Sequence, residues 1–333
     1  MLDVAANSGV SHQTVSRVLN NHVNVSQKTR AKVLESMTRL GYAPNLAARA
    51  LSNGKTTTIG VLQYESPLFG PVRRLLAVQR AARDIGYAVT LATTKGVDKS
   101  ALTNGIQELI RSGVDGIILI SPLTGGATLE PEVLGGIPCV TVVGDILKDA
   151  PSVNVDQLLG AKNAVEYLIS LGHTNIAHIS GPNNWYEATK RREGWQKALK
   201  DAGLSPGLLV YGDWSAESGY QAIREIVGKS QPTAVFVAND AMALGGLKAL
   251  NELKIKVPQE ISIIGFDDIP DAEYLIPGLT TIRNDFDEVG KRSVELLMDC
   301  IRKKQHTSYQ IVIKPELIIR KSTPPPLRSR KIK

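Results

Sequence analysis

The residues best suited to chemistry stand near the amino terminus. His12, Gln13, Ser16, Arg17 and Asn20 recur at helical spacing in the run Ser11-His12-Gln13-Thr14-Val15-Ser16-Arg17-Val18-Leu19-Asn20. Val10, Val15 and Val18 form the apolar complement on the other side. Glutamine can bond both edge atoms of an adenine and arginine both acceptors of a guanine, while serine or asparagine can hold phosphate oxygens. The set suits the major groove of double-stranded DNA. A helical hairpin with an ordinary polar face is the competing reading.

A second group lies far along the chain, where Arg191, Asn239 and Asp267 offer charged or bidentate partners for adjacent hydroxyls. Trp214 offers a flat apolar face for the C–H surface of a sugar. Each alone could be structural, and Asp267-Asp268 follows an apolar run where capping a helix is the plainer role. No phosphate loop, no G-x-G-x-x-G after a strand and no G-x-S-x-G elbow is present. The five histidines lack metal-ligand spacing, and His173 and His178, which flank a strand, read as structural. Cys139 and Cys300 read as buried, reduced thiols. Neither metal, cofactor nor enzymatic turnover is expected.

These residues need two kinds of scaffold. Residues 1–43 read as three short helices: Val4, Ala5 and Val10 surround a turn at Gly9, and Val15, Val18 and Leu19 form the second stripe. The third helix starts at the cap Ser26, carries Val33, Leu34, Met37 and Leu40, and stops at Gly41. Ser11 can cap the second helix. Residues 44–57 form a linker with a short helical segment too brief to be stable alone.

From residue 58 to 322 strands and helices alternate. Apolar runs of strand length occur at 59–62, 88–92, 116–120, 138–143, 176–179, 208–211, 234–238 and 261–266. Helical patterns lie between them at 72–85, 102–112, 161–171, 187–202 and 241–253, several ending at a glycine. Such alternation makes βαβ units with parallel sheets covered on both faces. Two runs of four strands predict two similar lobes with a cleft between them, with one eight-stranded sheet as the alternative. The fold class is α/β, a small all-α head on a two-lobed core. Residues 323–333 form a basic, proline-rich tail that is expected to be disordered.

Charge divides the same way. Residues 1–58 hold seven basic and two acidic residues, residues 320–333 six basic and none acidic, and the stretch between is mildly acidic, within a net charge of +7. A basic head on an acidic body points to a polyanion partner for the head. No apolar run approaches the roughly 18 residues of a membrane span, and no signal segment opens the chain. A cytoplasmic, nucleoid-associated protein is expected.

The run Gly9-Val10-Ser11, then Gln13 through Asn20, is followed by Val25-Ser26, Thr29-Arg30 and Val33, and by Gly41-Tyr42, Pro44-Asn45, Ala47-Ala48 and Leu51. This combination resembles the headpiece of the lactose repressor family (LacI/GalR), and the similarity runs to about residue 322. The resemblance implies that His12, Gln13 and Arg17 read bases, while Ser11, Ser16, Asn20, Ser26 and Thr29 hold phosphates. It makes residues 45–52 a hinge helix that pairs with its twin in the minor groove. Asn45, Ala48 and Leu51 are then contacting residues, with Leu51 an apolar wedge between base steps. A routine linker leucine is the other reading.

The core resembles the periplasmic sugar-binding fold. By that resemblance Arg191, Trp214, Asn239, Asp267, Asn284 and Phe286 line the second lobe's side of the cleft, and Leu68 and Gly70 the first lobe's side. This chain departs from the lactose-sensing pattern at Ile120 and Val143, which replace polar residues, and at Tyr64, which replaces a small serine. The resemblance implies a repressor of transcription released by its effector, expected to be a sugar or glycoside; a co-repressor of another class, or a stand-alone sugar-binding protein, is the alternative. A homodimer on a pseudo-palindromic operator is implied, and no membrane partner. Family members also carry several residues before the position of Met1, so a start upstream of Met1 is expected, a head that folds and binds weakly being the alternative.

Overall fold

Two serines begin two of the head's helices. The structure, a computed structural model, describes residues 1–19, 22–42, 55–96, 98–122, 129–144, 147, 150–303 and 309–324. Asn20, Asn45, Ala48, Leu51 and most of the basic tail lie outside the described residues. The chain divides into two units, Met1–Thr57 and Thr58–Lys333.

In the first unit α1 spans Leu2–Ser8, α2 His12–Leu19 and α3 Gln27–Arg39. The Ser11 and Ser26 hydroxyls accept the N–H groups of Thr14 and Thr29, both at 3.2 Å. Each such cap is worth about 1 kcal/mol. Gly9, at φ 66°, turns the chain between α1 and α2. Val4, Ala5, Val15, Val18 and Val33 form the core. The third helix differs from expectation, because Leu34 and Leu40 are exposed while Val33 and Met37, four residues apart, face inward. Arg30 ties α3 to the end of α2 by donating to the carbonyls of Val18 and His22, each at 3.2 Å.

The second unit holds two parallel sheets. The first contains β1 Thr58–Tyr64, β2 Ala88–Thr94, β3 Gly116–Ile120, β4 Cys139–Val142, β5 Ser152–Val155 and β11 Gln310–Ile313, in the order β11-β5-β4-β3-β1-β2. Helices α4 (Phe69–Asp84) and α5 (Lys99–Arg111) follow its first strands, and α10 (Phe286–Lys303) packs beside α4. The second sheet contains β6 Ile176–Ser180, β7 Leu209–Tyr211, β8 Ala234–Val237 and β9 Ser262–Ile264, in the order β7-β6-β8-β9. It is covered by α6 (Gln157–Ser170) and α7 (Tyr186–Asp201) on one face. Helices α8 (Ala216–Lys229) and α9 (Asp240–Glu252) cover the other. Strands β10 Thr281–Arg283 and β12 Glu316–Ile318 form a small antiparallel pair.

The sheets thus have six and four strands rather than four each. The extra members are short, and β11 alternates exposed and half-buried residues, so no continuous apolar run announces it. The chain passes from the first lobe to the second after β5, returns after β10 and crosses again after β11. The core also runs past residue 322. Thr323 is buried with its hydroxyl 2.8 Å from that of Thr280, and the Pro324 carbonyl accepts from the Ser262 hydroxyl.

Candidate nucleic-acid interface and ligand cleft

In the head, Ser11, His12, Gln13 and Arg17 are exposed and Ser16 half-exposed, while Val15 and Val18 on the opposite side of α2 are buried. Ser26, at the start of α3, is exposed and Thr29, one turn on, half-exposed, their hydroxyls 2.8 Å apart. The first turns of α2 and α3 present N–H groups and the positive end of a helix dipole, where an anionic oxygen is favoured. A row of donors on one face and two capped helix starts can therefore engage base edges and phosphates together.

In the core, Leu68, Gly70, Arg191, Trp214, Asn239 and Asp267 line one cavity, together with Phe69, Pro71, Arg74, Trp185 and Glu187. Arg191 projects from α7. Its Nε donates to Gln157 Oε1 at 2.9 Å, its Nη2 to Asp267 Oδ1 at 3.1 Å, and its Nη1 to the Ala238 carbonyl. The guanidinium lies over the Phe266 ring, 3.8 Å from its centroid. Burial pulls the Arg191 pKa down and pushes that of Asp267 up, and their opposite charges counter both effects. Asp267 adopts φ 107°, a strained value for a residue with a side chain, and such strain gathers at functional sites.

Asn239 lines the cleft, but both its polar atoms are engaged. Oδ1 accepts the Met242 N–H at 2.9 Å, capping α9, and Nδ2 donates to the Trp214 carbonyl at 3.1 Å. Trp214, at φ 76°, lies so close over Gly181 that a Cβ there would come within 2.3 Å of the indole. Its ring meets Trp185 edge-on at 5.6 Å.

Asn284 and Phe286 open instead onto a neighbouring cavity of about 450 Å³, which shares Phe69 and Asp267 with the first. Asn284 donates to Asp267 Oδ1 at 3.1 Å. Phe286 does not belong to the second lobe. It starts α10, which packs on the first sheet, because the chain crosses between lobes just before it. Leu68 packs against the core of the second lobe.

Ile120 and Val143 are buried in the apolar core of the first lobe, and Tyr64 meets Trp185 edge-on at 6.1 Å. His178 lies within β6 rather than beside it. Neither Asp267 nor Asp268 caps a helix, because the short helix Pro270–Tyr274 starts after Ile269. Asp268 instead pairs with Arg283 at 2.7 Å and Arg320 at 2.8 Å.

Arg74 and Glu187 are cleft residues that sequence reasoning missed. A signal existed in their placement: Arg74 falls on the α4 face of Pro71, Ala77 and Val78, and Glu187 on the α7 face of Ala188, Arg191 and Trp195. A charge on a buried helix face needs a buried partner. Among the described residues no helix is long and apolar enough to cross a membrane.

Comparison with known proteins agrees with both halves of this description. Residues 1–45 match the model of bacterial regulatory proteins of the lacI family, and residues 165–323 match a periplasmic binding protein-like domain. The ribose operon repressor of Escherichia coli (strain K12) is 36% identical over 331 residues, covering 97% of this chain and 99% of that protein. The crystal structure of a lac repressor dimer bound to operator and the anti-inducer ONPF superposes with a TM-score of 0.84 at 33% identity, over 97% of this chain and 98% of that one. The complex of the transcriptional regulator CelR with cellobiose gives a TM-score of 0.72 at 30% identity, over 96% and 98%. Head and core alike place this chain in the lacI family of bacterial regulatory proteins, DNA-binding regulators of transcription.

Proposed function

We propose that the chain is a cytoplasmic repressor that grips a pseudo-palindromic operator as a homodimer and releases it when a carbohydrate enters the core cleft. The observation that carries the reading is the exposed row His12, Gln13 and Arg17 on α2, backed by buried valines and flanked by two capped helix starts. Two such rows, one per protomer, would address half-sites about one helical turn apart. Ser11, Ser16, Asn20, Ser26 and Thr29 would hold phosphates, and Asn45, Ala48 and Leu51 would meet the minor groove. A related regulator forms a complex with cellobiose and another is dimeric on its operator, which supports a sugar effector and a dimer here.

The effector acts through differential affinity. It shifts the core only by as much as it prefers one lobe arrangement to the other, and operator affinity changes by the same factor. We read the core as a binding module, and conversion of a bound sugar to product would contradict that.

The test is selection of oligonucleotides from a random pool by the full-length protein, followed by mobility shifts with Arg17→Ala. The substitution should cost about 1–3 kcal/mol at the selected site and relax base choice at one position per half-site. Unchanged affinity and unchanged discrimination would remove α2 as the reading helix.

A further inference from the structure

Arg74 and Glu187 face each other across the cleft. Arg74 belongs to α4 of the first lobe and Glu187 to α7 of the second, and Arg74 Nη2 donates to Glu187 Oε1 at 2.6 Å. Both side chains are at most 5% exposed. A buried ion pair is stable only when its remaining donors and acceptors are also satisfied. Here Arg74 Nη1 and Glu187 Oε2 have no hydrogen-bond partner among the described residues, and neither has Trp214 Nε1 in the same cavity. Arg191 and Asn239, by contrast, direct their polar atoms to Gln157, Asp267, Met242 and backbone carbonyls. The unsatisfied hydrogen-bonding capacity of this cavity therefore sits on the pair, a donor from one lobe and an acceptor from the other, and on the neighbouring Trp214 N–H.

The charges of the lining cancel. Arg74 and Arg191 are balanced by Glu187 and Asp267, and these are the charged residues that line the cavity. A ligand bearing net charge would leave one buried charge uncompensated, which the low-dielectric cleft disfavours. A hydroxyl both donates and accepts, so adjacent hydroxyls can satisfy Glu187 Oε2 and Arg74 Nη1 together. The cavity itself holds about 30 Å³, roughly the share of one water in the liquid. A sugar-sized ligand must part the two side chains and stand between them.

We propose that Arg74 and Glu187 are effector-contacting residues that grasp adjacent hydroxyls of an uncharged polyol from opposite lobes and reject its charged counterparts. The inference rests on the reading of this cleft as a carbohydrate site. Because one residue comes from each lobe, the ligand that parts them also sets the separation of the lobes.

The experiment uses the full-length chain and a panel of uncharged pentoses, hexoses and disaccharides, set beside ribose 5-phosphate, glucose 6-phosphate and glucuronate. Thermal stabilisation identifies ligands and calorimetric titration ranks them. The wild type should take an uncharged sugar at least about tenfold more tightly than its anionic counterpart. Glu187→Gln should lose at least about tenfold for the uncharged sugar and narrow its preference over the anionic one. Arg74→Met alone isolates a buried carboxylate, so the uncharged pair Arg74→Met/Glu187→Gln accompanies it. That double variant should fold and lose the sugar. Wild-type preference for the anionic sugar overturns the proposal. So does a Glu187→Gln or double variant that binds the uncharged sugar within about twofold of wild type with unchanged selectivity, and that result leaves the carbohydrate reading standing. If no panel member stabilises the wild type, the carbohydrate reading itself fails and the proposal falls with it.

Discussion

His178 shows how far a single side chain's chemistry can be set by its neighbours. Its ring stacks on Phe236 with centroids 4.7 Å apart and meets Trp195 at 5.2 Å. Nδ1 donates to the Phe236 carbonyl at 2.9 Å, which leaves Nε2 without a proton in the neutral ring. Burial, only partly offset by that hydrogen bond, holds the pKa down at about 3 against an ordinary 6.5. The folded state thus keeps a neutral imidazole where the unfolded chain would protonate it. The stabilisation is complete above pH 6.5 and is lost as pH falls from there toward 3. At about 1.4 kcal/mol per pH unit, this group alone should remove about 2 kcal/mol between pH 6.5 and 5. Urea unfolding of wild type and His178→Leu at pH 7, 6 and 5 tests this. The leucine variant should show the shallower acid decline, and equal slopes would mean the imidazole is charged in the fold.

At the scale of elements, the pairing of α8 with α9 depends on a missing side chain. A Cβ on Gly245 would lie 1.7 Å from the Ala216 carbonyl oxygen, so the two helices touch backbone to backbone. Gly245→Ala must push them apart, at the upper end of the roughly 1–3 kcal/mol typical of overpacking. A drop in Tm of roughly 5–10 °C should follow in a thermal melt. An unshifted melt would mean that the helices separate at no cost. Most of the eight strands legible in the sequence are apolar runs buried along their length, as in β3, β4, β6, β8 and β9, while the edge strands β2 and β7 are partly exposed. Strands β5, β10, β11 and β12 are short and each holds polar or charged residues, and β11 and β12 take their register from partners remote in sequence. The cleft divides similarly. Arg191 and Asp267 carried a recognisable motif, whereas Arg74 makes sense only beside a glutamate 113 residues later. The resemblance puts Phe286 on the second lobe and the fold puts it on the first, because its position depends on where the chain crosses, which no local pattern records.

At the scale of the whole molecule, head and core are separate units with separate cores, so their activities should separate too. A fragment spanning 58–333 should keep any sugar-induced thermal stabilisation of the intact chain while losing operator retention in a mobility shift. Loss of both together would show that the core needs the head to fold. The place of β11 bears on how the protein is made. The Ser152–Val155 edge of the first sheet is closed by Gln310–Ile313, and the small β10–β12 pair waits for Glu316–Ile318. On a ribosome adding about 5–20 residues per second, that edge stays unpaired for on the order of ten seconds after it emerges. The nascent polypeptide thus carries an open β-edge through nearly half of its synthesis, an interval in which a holdase chaperone would guard against aggregation.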